Sequence, residues 1–191
     1  RNIAVGHGTA YNLTTGTGNT FLGHNIAYNL TTSPDNTAIG HNAMYGHATQ
    51  DTASANNVAI GMASMFVASG ANYNVAVGDG ALSGSSAGMQ GDSNVAIGLS
   101  AMANATNPYD NVSIGNYSGY DMTTGFSNTL VGYMAGTNLT DADSNVAIGK
   151  DALKTCTSAD DNVAIGERAG SGTTGAGNIF IGRLAGENFS S

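Results

Sequence analysis

Residues 145–170 read NVAIGKDALKTCTSADDNVAIGERAG, and the pentapeptide NVAIG that opens the stretch returns 17 residues later. That interval is too long for a hairpin and too short for a domain. The pattern Asn, then Val/Ile/Thr, any residue, Ile/Val/Leu and Gly begins at Asn2, Asn19, Asn36, Asn57, Asn74, Asn94, Asn111, Asn128, Asn145, Asn162 and Asn178. Successive spacings are 17, 17, 21, 17, 20, 17, 17, 17, 17 and 16 residues. Eleven repeats therefore fill the chain, and residues 1–191 read as one repetitive domain.

Within each copy the first and third residues after Asn are aliphatic or Thr, as in Ile3 and Val5, Thr20 and Leu22, Val146 and Ile148. Alternation of period two marks a strand with one face turned to a core. The closing Gly, present in all eleven copies, ends it in a conformation or close approach that a Cβ would forbid. Seven residues beyond that Gly stand Leu13, Leu30, His47, Ala68, Ser85, Ala105, Met122, Leu139, Cys156, Thr173 and Phe189; eight beyond stands a column of Thr, Ser or Ala running from Thr14 to Ser190. This pair of columns predicts a second strand, one position buried and its hydroxyl-bearing neighbour facing out. Short strands recurring at this interval bury their faces when each turn of chain stacks on the last in parallel ladders. The fold is thus predicted to be all-β, a parallel β-solenoid of eleven coils of about 17 residues, roughly 50 Å long. No period of 3.6 is present, and Gly and Thr are poor helix formers.

Composition excludes several functions. The net charge is −8, and the five basic residues are Arg1, Lys150, Lys154, Arg168 and Arg183, leaving none between Asn2 and Gly149. Phosphate neutralisation and attraction to an anionic membrane both need such residues, so no nucleic-acid or membrane partner is expected. No run of about 18 apolar residues occurs to span a bilayer. A lone cysteine, Cys156, offers no disulfide framework or metal cluster.

The residue between the two aliphatic positions reads Ala4, Phe21, Ala38, Ala59, Ala76, Ala96, Ser113, Leu130, Ala147, Ala164 and Phe180. If the aliphatic pair fills the coil, this column points out. Being small and apolar, it is expected to pack against another chain, with Phe21, Leu130 and Phe180 plugging the interface at intervals. A coil this thin buries too little alone, which also points to oligomerisation.

Stretches such as AYNLTTGTGNTFLGHNIAYNLTTSPDNTAIGHNAMY and SNVAIGKDAL resemble the repeats of bacteriophage tail fibres, and the NVAIG core is similar to that of YadA-like head domains of trimeric autotransporter adhesins. The resemblance covers the whole chain. It implies a left-handed β-roll assembled as a homotrimer, with the motif strand at the three-fold interface. Left-handedness and the number three come from the resemblance alone. Autotransporter heads commonly have shorter coils, so the tail-fibre likeness fits this period better.

The candidate chemistry is sparse. His7, His24 and His41 each follow the repeat Gly and should stack as a ladder able to bind Zn or Ni. The same column continues with Met62, Asp79, Leu99, Asn116, Tyr133, Lys150, Glu167 and Arg183, the scatter of an exposed position, which outweighs the metal reading. Asp35, Asp110 and Asp161 precede a repeat Asn, and Asp92, Asp143 and Asp160 stand two before one. Such residues favour turns through local hydrogen bonds more often than they bind Ca²⁺. The repeat asparagines themselves should form an internal amide ladder with a structural role. Sequons at Asn12, Asn29, Asn104, Asn111, Asn138 and Asn188 largely arise from the repeat itself.

Two coils carry insertions, four residues within 46–56 and three within 84–93, which either bind a ligand or are simply tolerated. No nucleophile-base pair, carboxylate pair or phosphate loop emerges, so neither an enzyme nor a cofactor is expected. The expected function is a structural and adhesive segment of a longer trimeric fibre, extracellular, on a virion tail or a bacterial surface, with a cell-surface glycan or host receptor as possible partner. The alternative is a ligand-binding solenoid, in which the Thr/Ser column serves ice or aromatics and hydroxyls serve a glycan.

Overall fold

The computed structural model describes residues 1–49 and 53–189. Ser190 of the hydroxyl column and Gln50, Asp51 and Thr52 of the first insertion lie outside them. Eleven strands follow one another: β1 Ile3–Val5, β2 Thr20–His24, β3 Thr37–His41, β4 Val58–Ile60, β5 Val75–Val77, β6 Val95–Ile97, β7 Val112–Ile114, β8 Thr129–Val131, β9 Val146–Ile148, β10 Val163–Ile165 and β11 Ile179–Ile181. All lie in one sheet in chain order, each parallel to the next. The chain is an all-β parallel solenoid of about ten turns, and among the described residues there is no helix. Like pairs with like: Val146 with Val163, Ala147 with Ala164. Register holds across both longer coils, Ala38 opposite Ala59 and Ala76 opposite Ala96, so the inserted residues are absorbed outside the sheet.

Nine strands stop just before their Gly and β2 and β3 run one residue past it; at every repeat Gly φ lies between 122° and 144°. A Cβ on Gly98 would sit 2.6 Å from the backbone of Gly115 in the next coil, which accounts for the absence of any other residue there. The chain then alternates. Two and four residues beyond the Gly the backbone is left-handed again, as at Ser100 (φ 51°) and Met102 (φ 52°) or Asp151 (φ 57°) and Leu153 (φ 49°). A further left-handed residue precedes most repeat asparagines, among them Asp35, Asp110 and Asp161. Left-handed non-glycine residues cost roughly 1–2 kcal/mol each. Rungs between coils offset that cost: Ser100 N donates to Asp79 O at 2.8 Å and Met102 N to Ser118 O at 3.0 Å.

This alternation is why the predicted second strand does not form. Among the described residues, the backbone between Gly and the next Asn turns instead of extending, and only isolated bridges remain there, Ala68 with Met89, Asp92 with Tyr109 and Tyr109 with Phe126. The columns themselves keep most of their expected sides. Leu30, Ala68, Ala105, Met122, Leu139, Cys156 and Thr173 are buried. Their hydroxyl neighbours are exposed or half-buried except Ser69, which is buried, and Phe189 of the first column is exposed.

The strand faces are the reverse of those expected. Phe21, Ala38, Ala59, Ala76, Ala96, Ser113, Leu130, Ala147, Ala164 and Phe180 are buried inside the coil, and only Ala4 of that column, in the first coil, is exposed. The aliphatic residues flanking them face outward: Ile60, Ile97 and Ile114 are 37% exposed, Ile148 and Ile165 38%. The middle column therefore cannot be a contact between chains.

Volume explains the inversion. The column facing it across the coil, four residues beyond each Gly, must be both buried and left-handed, which suits Met and Leu and excludes Val and Ile. It reads Met44, Met65, Leu82, Met102 and Leu153 where the strand offers Ala. Where the strand carries a large residue, this column shrinks in the same coil and the one before: Ala10 and Ala27 around Phe21, Gly119 and Gly136 around Leu130, Gly170 and Gly186 around Phe180. A Cβ on Gly136 would lie 2.8 Å from Leu130 Cδ2, and one on Gly170 would lie 2.7 Å from Phe180 Cδ2. Leu130→Ala should therefore lower stability by about 2–5 kcal/mol. Adding Gly136→Leu, a residue Leu82 and Leu153 show is compatible with this backbone, should recover much of the loss. Unfolding midpoints in urea compare the two, and a double variant no better than the single one would contradict this packing.

Candidate functional site

The repeat asparagines build the predicted ladder. Asn19 Oδ1 accepts the backbone N–H of Asn36 at 2.8 Å and its Nδ2 at 3.3 Å, while Asn19 Nδ2 donates to Ser33 O at 2.9 Å. The same rung recurs up the rod, for example from Asn111 to Asn128 and Gly125. A shorter ladder stands two residues before it. Asp92 Oδ1 accepts Asn72 N at 2.7 Å, Asp143 Oδ1 accepts Phe126 N at 2.9 Å, and Asp160 Oδ1 accepts Asp143 N at 2.9 Å. These carboxylates cap the preceding coil's backbone, a role the turn reading of the sequence approached without naming its partner.

His7, His24 and His41 stand in one exposed column, their ring centroids 5.1 and 5.0 Å apart. Among the described residues no cluster of three His, Cys, Asp or Glu side chains is arranged to hold a metal ion. A second aromatic column was not read as one from the sequence: Tyr11, Tyr28, Tyr45 and Phe66 stack at centroid separations of 4.8, 5.3 and 5.3 Å. Stacking covers ring faces and leaves edges outward, which suits packing better than the face-on stacking of a sugar. The hydroxyl column is likewise engaged. Thr14, Thr106, Thr123 and Thr140 donate through Oγ1 to carbonyls of the following coil at 2.9–3.2 Å. Among the sequons, Asn111 is buried in the amide ladder and out of reach of any modifying enzyme.

The two insertions meet. His47 Nε2 lies 3.1 Å from Ser86 O, spanning the regular coil that separates them. In the second insertion Ser85 N donates to Ala105 O, a tight turn follows with Gly88 N on Ser85 O, and Met89 N returns to Val67 O in the preceding coil. Beside this bulge opens a cleft of about 220 Å³ lined by Ser69, Gly70, Gln90, Asn107 and Tyr109. It joins three successive coils. Tyr109 is 39% exposed, its backbone is bridged to Asp92 and Phe126, and its hydroxyl donates to Asn107 Oδ1 at 2.7 Å.

A second groove, about 390 Å³, gathers Lys150, Asp151, Lys154, Thr155, Glu167, Arg168 and Ser171. It collects most of the chain's cations, but each has a carboxylate. Lys154 Nζ is 3.0 Å and Lys150 Nζ 3.9 Å from Asp151, Arg168 pairs with Glu187, and Arg183 Nε donates to Glu167 Oε2 at 3.3 Å. An anionic ligand would have to displace these partners. Exposed pairs of this kind contribute about 0–1 kcal/mol each.

No family model matches the chain, and neither a curated protein nor a solved structure is similar enough to count as a relative. Function is accordingly read from the residues. The largest unassigned feature is the outer face of the sheet, where the third motif position is aliphatic in every coil from Val5 to Ile181.

Cys156 is a core residue, its Sγ 3.8 Å from Ala159 O. Burial, with the Asp160 carboxylate adding to it, pushes the thiol up from its ordinary value, so the reactive thiolate is disfavoured at neutral pH. Ellman's reagent should label Cys156 only as the coils around it open in denaturant; rapid labelling of the folded chain at neutral pH would contradict its place in the core.

Proposed function

We propose that this chain is a segment of an extracellular fibre, a homotrimer of left-handed β-rolls that serves as rod and attachment surface on a virion tail or a bacterial cell. The observation that carries the proposal is the aliphatic outer face of β1–β11. Two columns on eleven strands, aliphatic but for Thr20, Thr37 and Thr129, make a largely apolar strip on the order of 500 Å². The largest apolar patch on a soluble protein is typically about 300–600 Å² and is often functional, so a strip of this size marks a contact surface. Its one-coil repeat suits a second copy of the same chain, because like residues then meet at the same height. The trimeric state and the left hand rest on the resemblance to tail-fibre repeats and YadA-like heads, which places the motif strand at the three-fold axis. The reading keeps the expected strand at the interface and transfers the contact from the alanine column to the Val and Ile residues beside it.

The ligand-binding alternative draws support from the cleft at Tyr109. Its ice-binding form is weakened by the hydroxyl column, since those hydroxyls are already donating to backbone carbonyls.

Light scattering of the intact chain should give three times the 19.1 kDa subunit mass. Ile97→Glu with Ile148→Glu should yield dissociated or aggregated chains that keep β-structure by circular dichroism. Ala96→Glu, in contrast, should prevent folding, because it places a carboxylate in a coil interior. An intact chain that stays monomeric at micromolar concentration sinks the proposal.

A further inference from the structure

We propose that the cleft beside the second insertion binds one ring of an uncharged saccharide, with Tyr109 as its platform and the amides of Gln90 and Asn107 as its polar contacts; this rests on the adhesive reading above and gives it a site. Four observations converge on the cleft. Its lining, Ser69, Gly70, Gln90, Asn107 and Tyr109, holds no charged side chain on a chain of net charge −8. Charged sugars are therefore not selected, and an acidic one would meet the acidic rod without a local cation to offset it. Each amide presents both donors and an acceptor, the combination that matches adjacent sugar hydroxyls, which also donate and accept. With Asn107 Oδ1 already accepting from Tyr109, the Asn107 amide directs its donors elsewhere.

Tyr109 is the part of the site that geometry has prepared. Parallel bridges to Asp92 and Phe126 hold its backbone, and its hydroxyl bond to Asn107 holds its ring, while 39% of the residue stays in contact with solvent. Unlike Tyr28 and Tyr45, it stacks on no aromatic ring among the described residues. A fixed aromatic with a free surface loses little entropy on binding. A volume of about 220 Å³ falls below the range of about 300–1,000 Å³ that encloses a whole drug-sized ligand, so the cleft suits one ring of a chain running on along the rod. The insertion is what distinguishes this place from the regular coils: Met89 takes the core position that Ala68 holds one coil earlier, and Gln90 is carried to the cleft beside Gly70 and Asn107.

The test is a printed array of neutral and anionic glycans probed with the intact assembly and with three variants, each first shown to keep the mass and circular dichroism of the parent. Binding confined to neutral glycans is expected. Tyr109→Ala should weaken it at least about tenfold, Gln90→Ala should do the same on a second side chain, and Tyr28→Ala should leave it unchanged. Binding that survives both Tyr109→Ala and Gln90→Ala, or that is lost with Tyr28→Ala alone, overturns the assignment of the cleft while leaving an adhesive rod in place. Preference for anionic glycans overturns it as well. If the intact assembly binds no glycan on the array, the cleft proposal fails, and the subunit mass independently decides whether the fibre reading stands.

Discussion

The buried amide of one asparagine per coil is the constraint from which the rest of the solenoid follows. Its Oδ1 must accept from the backbone N–H and the Nδ2 of the asparagine one coil on, as Asn36 Oδ1 accepts from Asn57 N at 2.9 Å and Asn74 Oδ1 from Asn94 N at 2.9 Å. Both of those rungs cross longer coils. A buried amide left without partners costs about 1–3 kcal/mol per orphaned group, so each coil must return its asparagine to the same height whatever its length. Extra residues are therefore expelled from the segment that runs from Asn through the strand. Among the described residues the two insertions meet at one arc, where His47 and Ser86 touch and the neutral cleft opens. The coil between Asn162 and Asn178, one residue short, illustrates the converse, since Asn162 Nδ2 is buried there with no partner.

The second constraint is the width of the coil. Left-handed residues two and four beyond each Gly turn the chain back sharply, so the inward strand side chain meets the one four beyond the Gly at close quarters, beside the buried column seven beyond it. Large and small residues must then alternate between the two columns, and one large strand residue occupies space over two coils. Phe21, Leu130 and Phe180 each sit among pairs of Ala or Gly for this reason. Close packing is satisfied not by one residue type per column but by a sum conserved between columns.

Much of this was legible in the letters. Period, parallel register and the amide ladder follow from eleven copies of one motif, and the histidine column follows from their alignment. Burial of the strand faces was not, because Val and Ile look like core and Ala looks like filler. In a thin coil that ranking fails: a β-branched pair does not fit opposite a Met or Leu, and it is the outer face that carries the bulk. The complementary sizes of Phe21 with Ala10 and Ala27, or Leu130 with Gly119 and Gly136, are present in the sequence and reveal the true interior. They become visible only when two columns are compared. The second strand misled differently, since two adjacent columns of opposite polarity satisfy period two without extended backbone. The Tyr109 cleft was only partly signalled: the 84–93 insertion that supplies Gln90 stood out, but the other lining residues come from the two neighbouring coils, and no repeat encodes which way the bulge turns.

Each arc of the coil thus answers to a different requirement. The strand's inner side is bound by volume, the asparagine arc by hydrogen bonding and the glycine arc by backbone conformation, so none of the three is free to vary. The strand's outer face is bound by none of them, yet its third position is aliphatic in all eleven coils. An unconstrained surface column in water would drift toward polar residues, as the column one residue beyond the glycine does in passing from His7 to Arg183. Strand preference favours Val and Ile there. The proposed contact with a second copy would add a reason for the column to stay aliphatic where it meets water, since an apolar surface that repeats with the coil is best matched by another with the same repeat. The exposed arc after the insertions has the opposite character, irregular and polar. In the fibre proposed above, assembly and recognition would occupy different arcs of the circumference, so recognition residues could change without disturbing the contacts between chains.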